Sequence, residues 1–71
     1  MSDRQRELRE RAMDHPVRAQ ILDLCKEREH SPAALSKALK ISKSATRYHL
    51  LVLLDARLLK PDEEGRFVLE R

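Results

Sequence analysis

The sequence predicts a mainly α fold, four helices followed by a small two-stranded β-hairpin. Three observations carry this expectation. Core-type residues recur at helical spacing through Val17, Ile21, Leu22, Leu24 and Cys25, and again through Ala45, Thr46, His49, Leu50, Leu53 and Leu54. Helix-start signals stand ahead of these stretches, at His15-Pro16, Ser31-Pro32 and Ser42. Near the end, the chain's one glycine, Gly65, separates two segments with strand character.

The first helix is expected over residues 2–13, within an N-terminal segment 1–14. Arg, Glu, Gln and Leu dominate it, Ser2 or Asp3 can cap it, and Glu7 and Arg11 have the favourable i,i+4 spacing. Its apolar stripe is thin, only Leu8, Ala12 and Met13, so it packs on an edge or against a partner chain. Pro16 opens the second helix at the first helical position, where its missing N–H is no loss, and that helix runs to about residue 28. Glu29-His30-Ser31 forms a short extended link. Ser31 also caps the third helix, with Pro32 next and Leu35, Ala38 and Leu39 inside. Lys40-Ile41 is a turn, and Ser42 caps a fourth helix that extends to residue 56. Residues 58–60 lead into a strand. Pro61-Asp62-Glu63-Glu64-Gly65 then reverses the chain, Gly65 being free to take a positive φ, and residues 66–70 alternate polar and apolar on the way back.

Seventy-one residues make a single domain, 1–71, with a small core. Aromatic residues are only 3%, so Leu, Ile, Val and Ala must fill that core. No apolar run reaches the ~18 residues of a membrane span, and the N-terminal MSDRQRELRER is charged throughout. A cytoplasmic protein is expected, and a lone cysteine agrees, since it can form no internal disulfide. The net charge of +3 is unevenly placed. Residues 31–60 hold Lys37, Lys40, Lys43, Arg47, Arg57 and Lys60 against one acid, Asp55, so six less one gives +5 there. Nine basic and eleven acidic residues elsewhere leave −2. Positive charge gathered on two helices and the turn between them is the footprint of phosphate contact.

Three stretches, DHPVRAQILDLC, SPAALSKALKISKSATRYHLLVLLDARLL and EGRFVLER, carry a further pattern. They contain, in order, an Arg-x-x-Ile-Leu run from Arg18 to Leu22, a Ser-x-Ser-x-x-x-x-His-Leu-x-x-Leu pattern from Ser42 to Leu53, and the pair Gly65-Arg66. Over residues 14–71 the chain resembles the ArsR-type winged helix-turn-helix regulators of prokaryotes. That resemblance implies a helix-turn-helix at 31–56 and a wing at 58–70, with the fourth helix in the DNA major groove and the wing on the adjacent backbone. Ser42, Lys43, Ser44, Arg47 and Tyr48 match the family's DNA-facing positions, and Lys60 and Arg66 match its wing. Lys40, in the turn, adds a further cation.

The residue types suit these positions. Arg47 can bond two acceptors on one guanine, and Lys43 lies one helical turn earlier on the same face. Ser42 and Ser44 are short enough to let a phosphate approach a helix N-terminus. Ser42 is a helix cap in either case. Tyr48 can bond a phosphate or pack on sugar, or else sit half-buried against the hairpin; both readings stand.

The departures from the family are informative. Its metal-sensing members place a Cys-x-Cys pair in or beside the third helix, whereas residues 31–35 read SPAAL and hold no thiol. His15, His30 and His49 lack paired ligand spacing, and Cys25 sits on a core-facing position, so neither a metal nor a cofactor is expected. His49 is expected at a helix–helix contact with its ring edge on a polar group. Leu51 and Leu54 stand where related sequences tend to be polar, and either the first helix or another chain should cover them. The family's last helix, a main dimerisation element, has no counterpart in this sequence, so a homodimer through the N-terminal helix is expected instead.

These features point to a sequence-specific double-stranded DNA-binding regulator of a prokaryotic cytoplasm, associated with the nucleoid. A repressor is expected, because nothing resembles an activating surface. One alternative is a winged helix used for protein–protein contact through Leu51 and Leu54, favoured by acids in the first helix and wing (Asp3, Glu7, Glu10, Asp62, Glu63 and Glu64). Another is the DNA-binding fragment of a larger sensor protein. An enzyme is not expected, for lack of a nucleophile–base pair or a glycine-rich phosphate loop.

Overall fold

The computed structural model describes residues 2–70; Met1 and Arg71, the two ends of the expected domain, lie outside the described residues. Four helices are followed by two strands: α1 Asp3–Met13, α2 Pro16–Glu27, α3 Pro32–Leu39, α4 Lys43–Asp55, β1 Leu59–Pro61 and β2 Phe67–Leu69. The strands pair antiparallel with Leu59 opposite Leu69, Lys60 opposite Val68 and Pro61 opposite Phe67. This is a winged helix-turn-helix. No helix among the described residues is long and apolar enough to cross a membrane.

Each helix begins on a side-chain cap. The Gln5 N–H donates to Ser2 Oγ at 3.2 Å, Ala34 N–H to Ser31 Oγ at 3.0 Å and Ala45 N–H to Ser42 Oγ at 3.0 Å. At α2 the cap is His15, whose Nδ1 accepts from the Val17 N–H at 3.2 Å. Two helices end on left-handed residues that are not glycine, Lys40 (φ 55°) after α3 and Arg57 (φ 59°) after α4. After α4 the Leu58 N–H reaches Leu53 O and the Arg57 N–H reaches Leu54 O, both at 3.0 Å, which satisfies carbonyls that the helix end leaves free. The chain therefore turns sharply into the wing without a glycine.

The core is aliphatic and small. Ala12, Ile21, Leu35, Leu50, Leu53, Ala56 and Leu59 are buried together with Cys25, and Leu8, Val17 and Phe67 pack around them. α4 contributes most, through Thr46, His49, Leu50 and Leu53 on one face. Thr46 is sealed in because its hydroxyl donates to Ser42 O at 2.8 Å. Burial pushes the Cys25 thiol up to about 11, so it stays protonated at neutral pH and serves as a small hydrophobe.

Three details differ from the sequence-based expectation. Ala38, expected inside with Leu35 and Leu39, is exposed, and Leu35 alone of α3 is buried. The 29–31 link is extended, but His30 also pairs with β2: its N–H donates to Phe67 O at 3.1 Å and its carbonyl accepts from the Phe67 N–H at 2.7 Å. The start of α3 is thereby tied to the wing. Pro61, expected in the turn, instead ends β1, an edge strand where its missing N–H leaves no neighbour unpaired. The turn itself is closed by Asp62, whose Oδ1 accepts from the Glu64 and Arg66 N–H groups, both at 2.9 Å, with Gly65 at φ 78°.

Candidate nucleic-acid interface

α4 has two unlike faces. Thr46, His49, Leu50 and Leu53 are buried, and the spacing that buries them turns Lys43, Ser44, Arg47, Tyr48 and Leu51 to solvent. Ser42 precedes this stripe as the cap, and Lys40 stands exposed at the end of α3. Tyr48 is 60% exposed, with the ring edge toward His49 at a centroid distance of 5.3 Å. The alternative of half-buried packing on the hairpin is corrected: the helix points this side chain outward.

Charge on the stripe is uncompensated. The ion pairs among the described residues involve only Arg6 and Arg66 as cations. Lys40, Lys43, Arg47 and Lys60 therefore have no described carboxylate within 4.0 Å. Lys43 and Arg47 share one groove, whereas Lys60 lies on a separate depression of the hairpin beside Lys26 and Glu29.

Arg66 is placed differently. Its guanidinium reaches Glu64 at 3.1 Å, Asp62 at 3.2 Å and Glu29 at 3.3 Å. Burial works to raise the Asp62 carboxyl, but the Arg66 and Glu64 N–H groups and the Arg66 charge outweigh it and hold that carboxyl below its ordinary value. Arg66 thus pins the wing turn to the 29–31 link.

A junction behind α4 holds the stripe in place. Arg18 on α2 donates from Nε to Ala12 O at 2.8 Å and from Nη2 to Arg11 O at 3.2 Å, covering carbonyls at the end of α1. Its Nη1 lies 3.3 Å from His49 Nδ1. A guanidinium can only donate, so this ring nitrogen accepts and the proton of neutral His49 sits on Nε2. Burial lowers the His49 pKa, and the charges of His15 and Arg18 lower it further. The His15 ring packs against it at 4.6 Å. Arg18 belongs to the Arg-x-x-Ile-Leu run, but only the tertiary structure gives it this role.

The two leucines of α4 are not covered by α1. Leu51 is 55% exposed, and half-buried Leu54 lines a groove shared with Pro32, Ala33 and Phe67. No α1 residue lines that groove, and Arg9 of α1 instead donates to Arg57 O, in the turn after α4, at 3.5 Å. Among the described residues no group of three or more His, Cys, Asp or Glu could hold a metal ion.

Comparisons agree with this architecture. A family model described as a helix-turn-helix domain matches residues 13–62. No curated protein gives a significant match. Among solved structures, HlyU from Vibrio cholerae N16961 is similar at a TM-score of 0.86 and 28% identity, over 100% of this chain and 83% of that one. Reduced HlyU from the same organism is similar at 0.85 and 28%, over 94% and 74% of the two chains.

Proposed function

Because the chain belongs to the helix-turn-helix domain family, we propose that it is a sequence-specific double-stranded DNA-binding transcriptional regulator acting as a repressor. The observation that carries this reading is the outward stripe of α4, with Lys43 and Arg47 exposed one turn apart and lacking a carboxylate partner among the described residues. Residues 42–56 enter the major groove, where Arg47 reads a guanine edge and Ser44 and Tyr48 flank it. Lys40 and Lys43 hold phosphates, and Ser42 lets one approach the helix N-terminus.

The wing touches the neighbouring backbone mainly through Lys60. Arg66 meets a phosphate only by giving up Glu29, Asp62 or Glu64. The acids at the wing tip turn phosphates away, so contact falls on the strand. A homodimer through α1, whose Met13 is 57% exposed, doubles the site and sets half-sites about one DNA turn apart. The protein works on the nucleoid of a prokaryotic cytoplasm, by binding alone, without metal or cofactor.

Fluorescence anisotropy on a mixed-sequence duplex tests the reading. Three phosphate contacts per protomer, from Lys40, Lys43 and Lys60, give a salt slope of about −2.7 for each half-site, so affinity falls roughly 40-fold per protomer engaged between about 50 and 200 mM salt. Lys60→Ala should shallow that slope by about one unit per protomer. Absence of binding at low salt would leave the helix-turn-helix as a protein-docking module.

A further inference from the structure

We propose that the groove beside α4 is a binding site for an amphipathic anion, a medium-chain acyl carboxylate, and that its occupancy excludes DNA. The exclusion rests on the function proposed above; the site itself does not.

The groove, open to solvent along one side, offers about 610 Å³ between the start of α3, the outer side of α4 and β2. Sites for small ligands span roughly 300–1,000 Å³. Pro32, Ala33, Leu50, Leu51, Leu54 and Phe67 line it, so most of its wall is hydrocarbon. Leu50 is buried beneath and Leu51 is 55% exposed, on a helix face where solvent alone calls for polar residues. The His30–Phe67 pairing fixes one wall to the other, so the cleft is preformed.

Two cations complete it. Lys43 and Arg47 line the same groove, at i and i+4 of the helix that supplies Leu50, Leu51 and Leu54 further along. The Lys43 end is charged and the Leu54 end apolar. No described carboxylate stands within ion-pair distance of either cation. The complement is a molecule with one anionic head and a hydrocarbon tail. An acyl carboxylate takes the planar guanidinium of Arg47 with its head and lies along Leu50, Leu54 and Phe67 with its tail.

DNA is a poorer match for the whole groove. A phosphate suits Lys43, a guanine edge suits Arg47 and a thymine methyl can touch Leu51, but nothing in a duplex covers Leu54 and Phe67. Both ligands require the same two cations, so each displaces the other.

The test uses the whole chain with sodium decanoate below its micellar concentration, followed by calorimetry and by amide shifts in NMR. A saturable site is expected, with shifts at residues 43, 47, 50, 51, 54 and 67. Decanol, which keeps the chain and lacks the carboxylate, should bind about tenfold or more weakly, as should decanoate on the Arg47→Gln variant. Leu51→Ser, at an exposed position, should weaken decanoate severalfold while leaving the fold intact. Absence of saturation, shifts confined to α1, or affinity indifferent to Arg47→Gln and Leu51→Ser would overturn the site. So would a dimer that Leu51→Ser dissociates, since a second copy would then fill the groove. Decanoate should also release a bound duplex. Decanoate binding in a protein that takes no duplex would refute the DNA reading and keep the site, whereas simultaneous binding of both would refute the exclusion.

Discussion

Replacing Arg18 with methionine keeps the aliphatic stem and removes the guanidinium that joins α1, α2 and α4. Three hydrogen bonds disappear, to Ala12 O at 2.8 Å, Arg11 O at 3.2 Å and His49 Nδ1 at 3.3 Å. They do not weigh equally. Ala12 is 0% exposed, so its carbonyl loses a partner and gains little access to water, a loss of about 1–3 kcal/mol. Arg11 is exposed, and water replaces most of what its carbonyl loses. A positive charge at a helix C-terminus adds about 0.3–1 kcal/mol. His49 loses a donor but also a repelling charge, and those effects oppose each other.

The sum is roughly 1–4 kcal/mol. A chain of this length has a total stability of roughly 4–10 kcal/mol, so the effect is large. It corresponds to a fall in Tm of about 5–30 °C at roughly 4–8 °C per kcal/mol. Urea unfolding of wild type and Arg18→Met, followed by far-ultraviolet circular dichroism, measures it directly. The m-value should stay the same and the midpoint should drop. A change under about 0.5 kcal/mol would refute the claim that Arg18 fastens the end of α1 to α4.

Other outcomes follow from the same geometry. Folded His49 binds its proton less tightly than the unfolded chain, whose histidine titrates near 6.5. Stability is therefore full above about pH 6.5 and falls as the pH drops through that value toward the lower folded pKa. Urea midpoints of wild type and His49→Gln should draw together from pH 8 to pH 5, and a constant gap would remove His49 from the account. Arg57→Gly relieves a left-handed residue worth about 1–2 kcal/mol and adds unfolded-chain entropy worth about 0.4–1, a net gain of roughly 0.5–1 kcal/mol. A lower Tm for this variant would contradict the turn geometry. Lys40→Gly should stabilise by a similar amount and yet weaken duplex binding, which separates the two roles of that position.

What could be read from the chain was local. Ser31 and Ser42 declare themselves as caps because a hydroxyl ahead of a helical run has one obvious N–H to satisfy. The outward stripe of α4 follows from the burial of Thr46, His49, Leu50 and Leu53, so the exposure of Lys43 and Arg47 was legible too. What escaped depends on residues far apart in sequence. Arg66 reads as a free wing cation until Glu29 is folded beside it. The contact of His49 with a polar group was expected, but that the group is Arg18, also holding α1, needs three helices in place. Arg57 escaped for another reason, since no glycine marks its left-handed turn. Leu51 and Leu54 stood out as apolar residues on a polar face, yet the groove exists only where Pro32, Ala33 and Phe67 meet them.

The central claim is that α4 reads DNA sequence through Arg47. Selection of bound duplexes from a random pool, run in parallel with wild type and Arg47→Ala, tests it most directly. Wild type should enrich a motif, and Arg47→Ala should lose about 1–3 kcal/mol on that motif and relax one base position. An unchanged motif bound with unchanged affinity by Arg47→Ala would take α4 out of the groove.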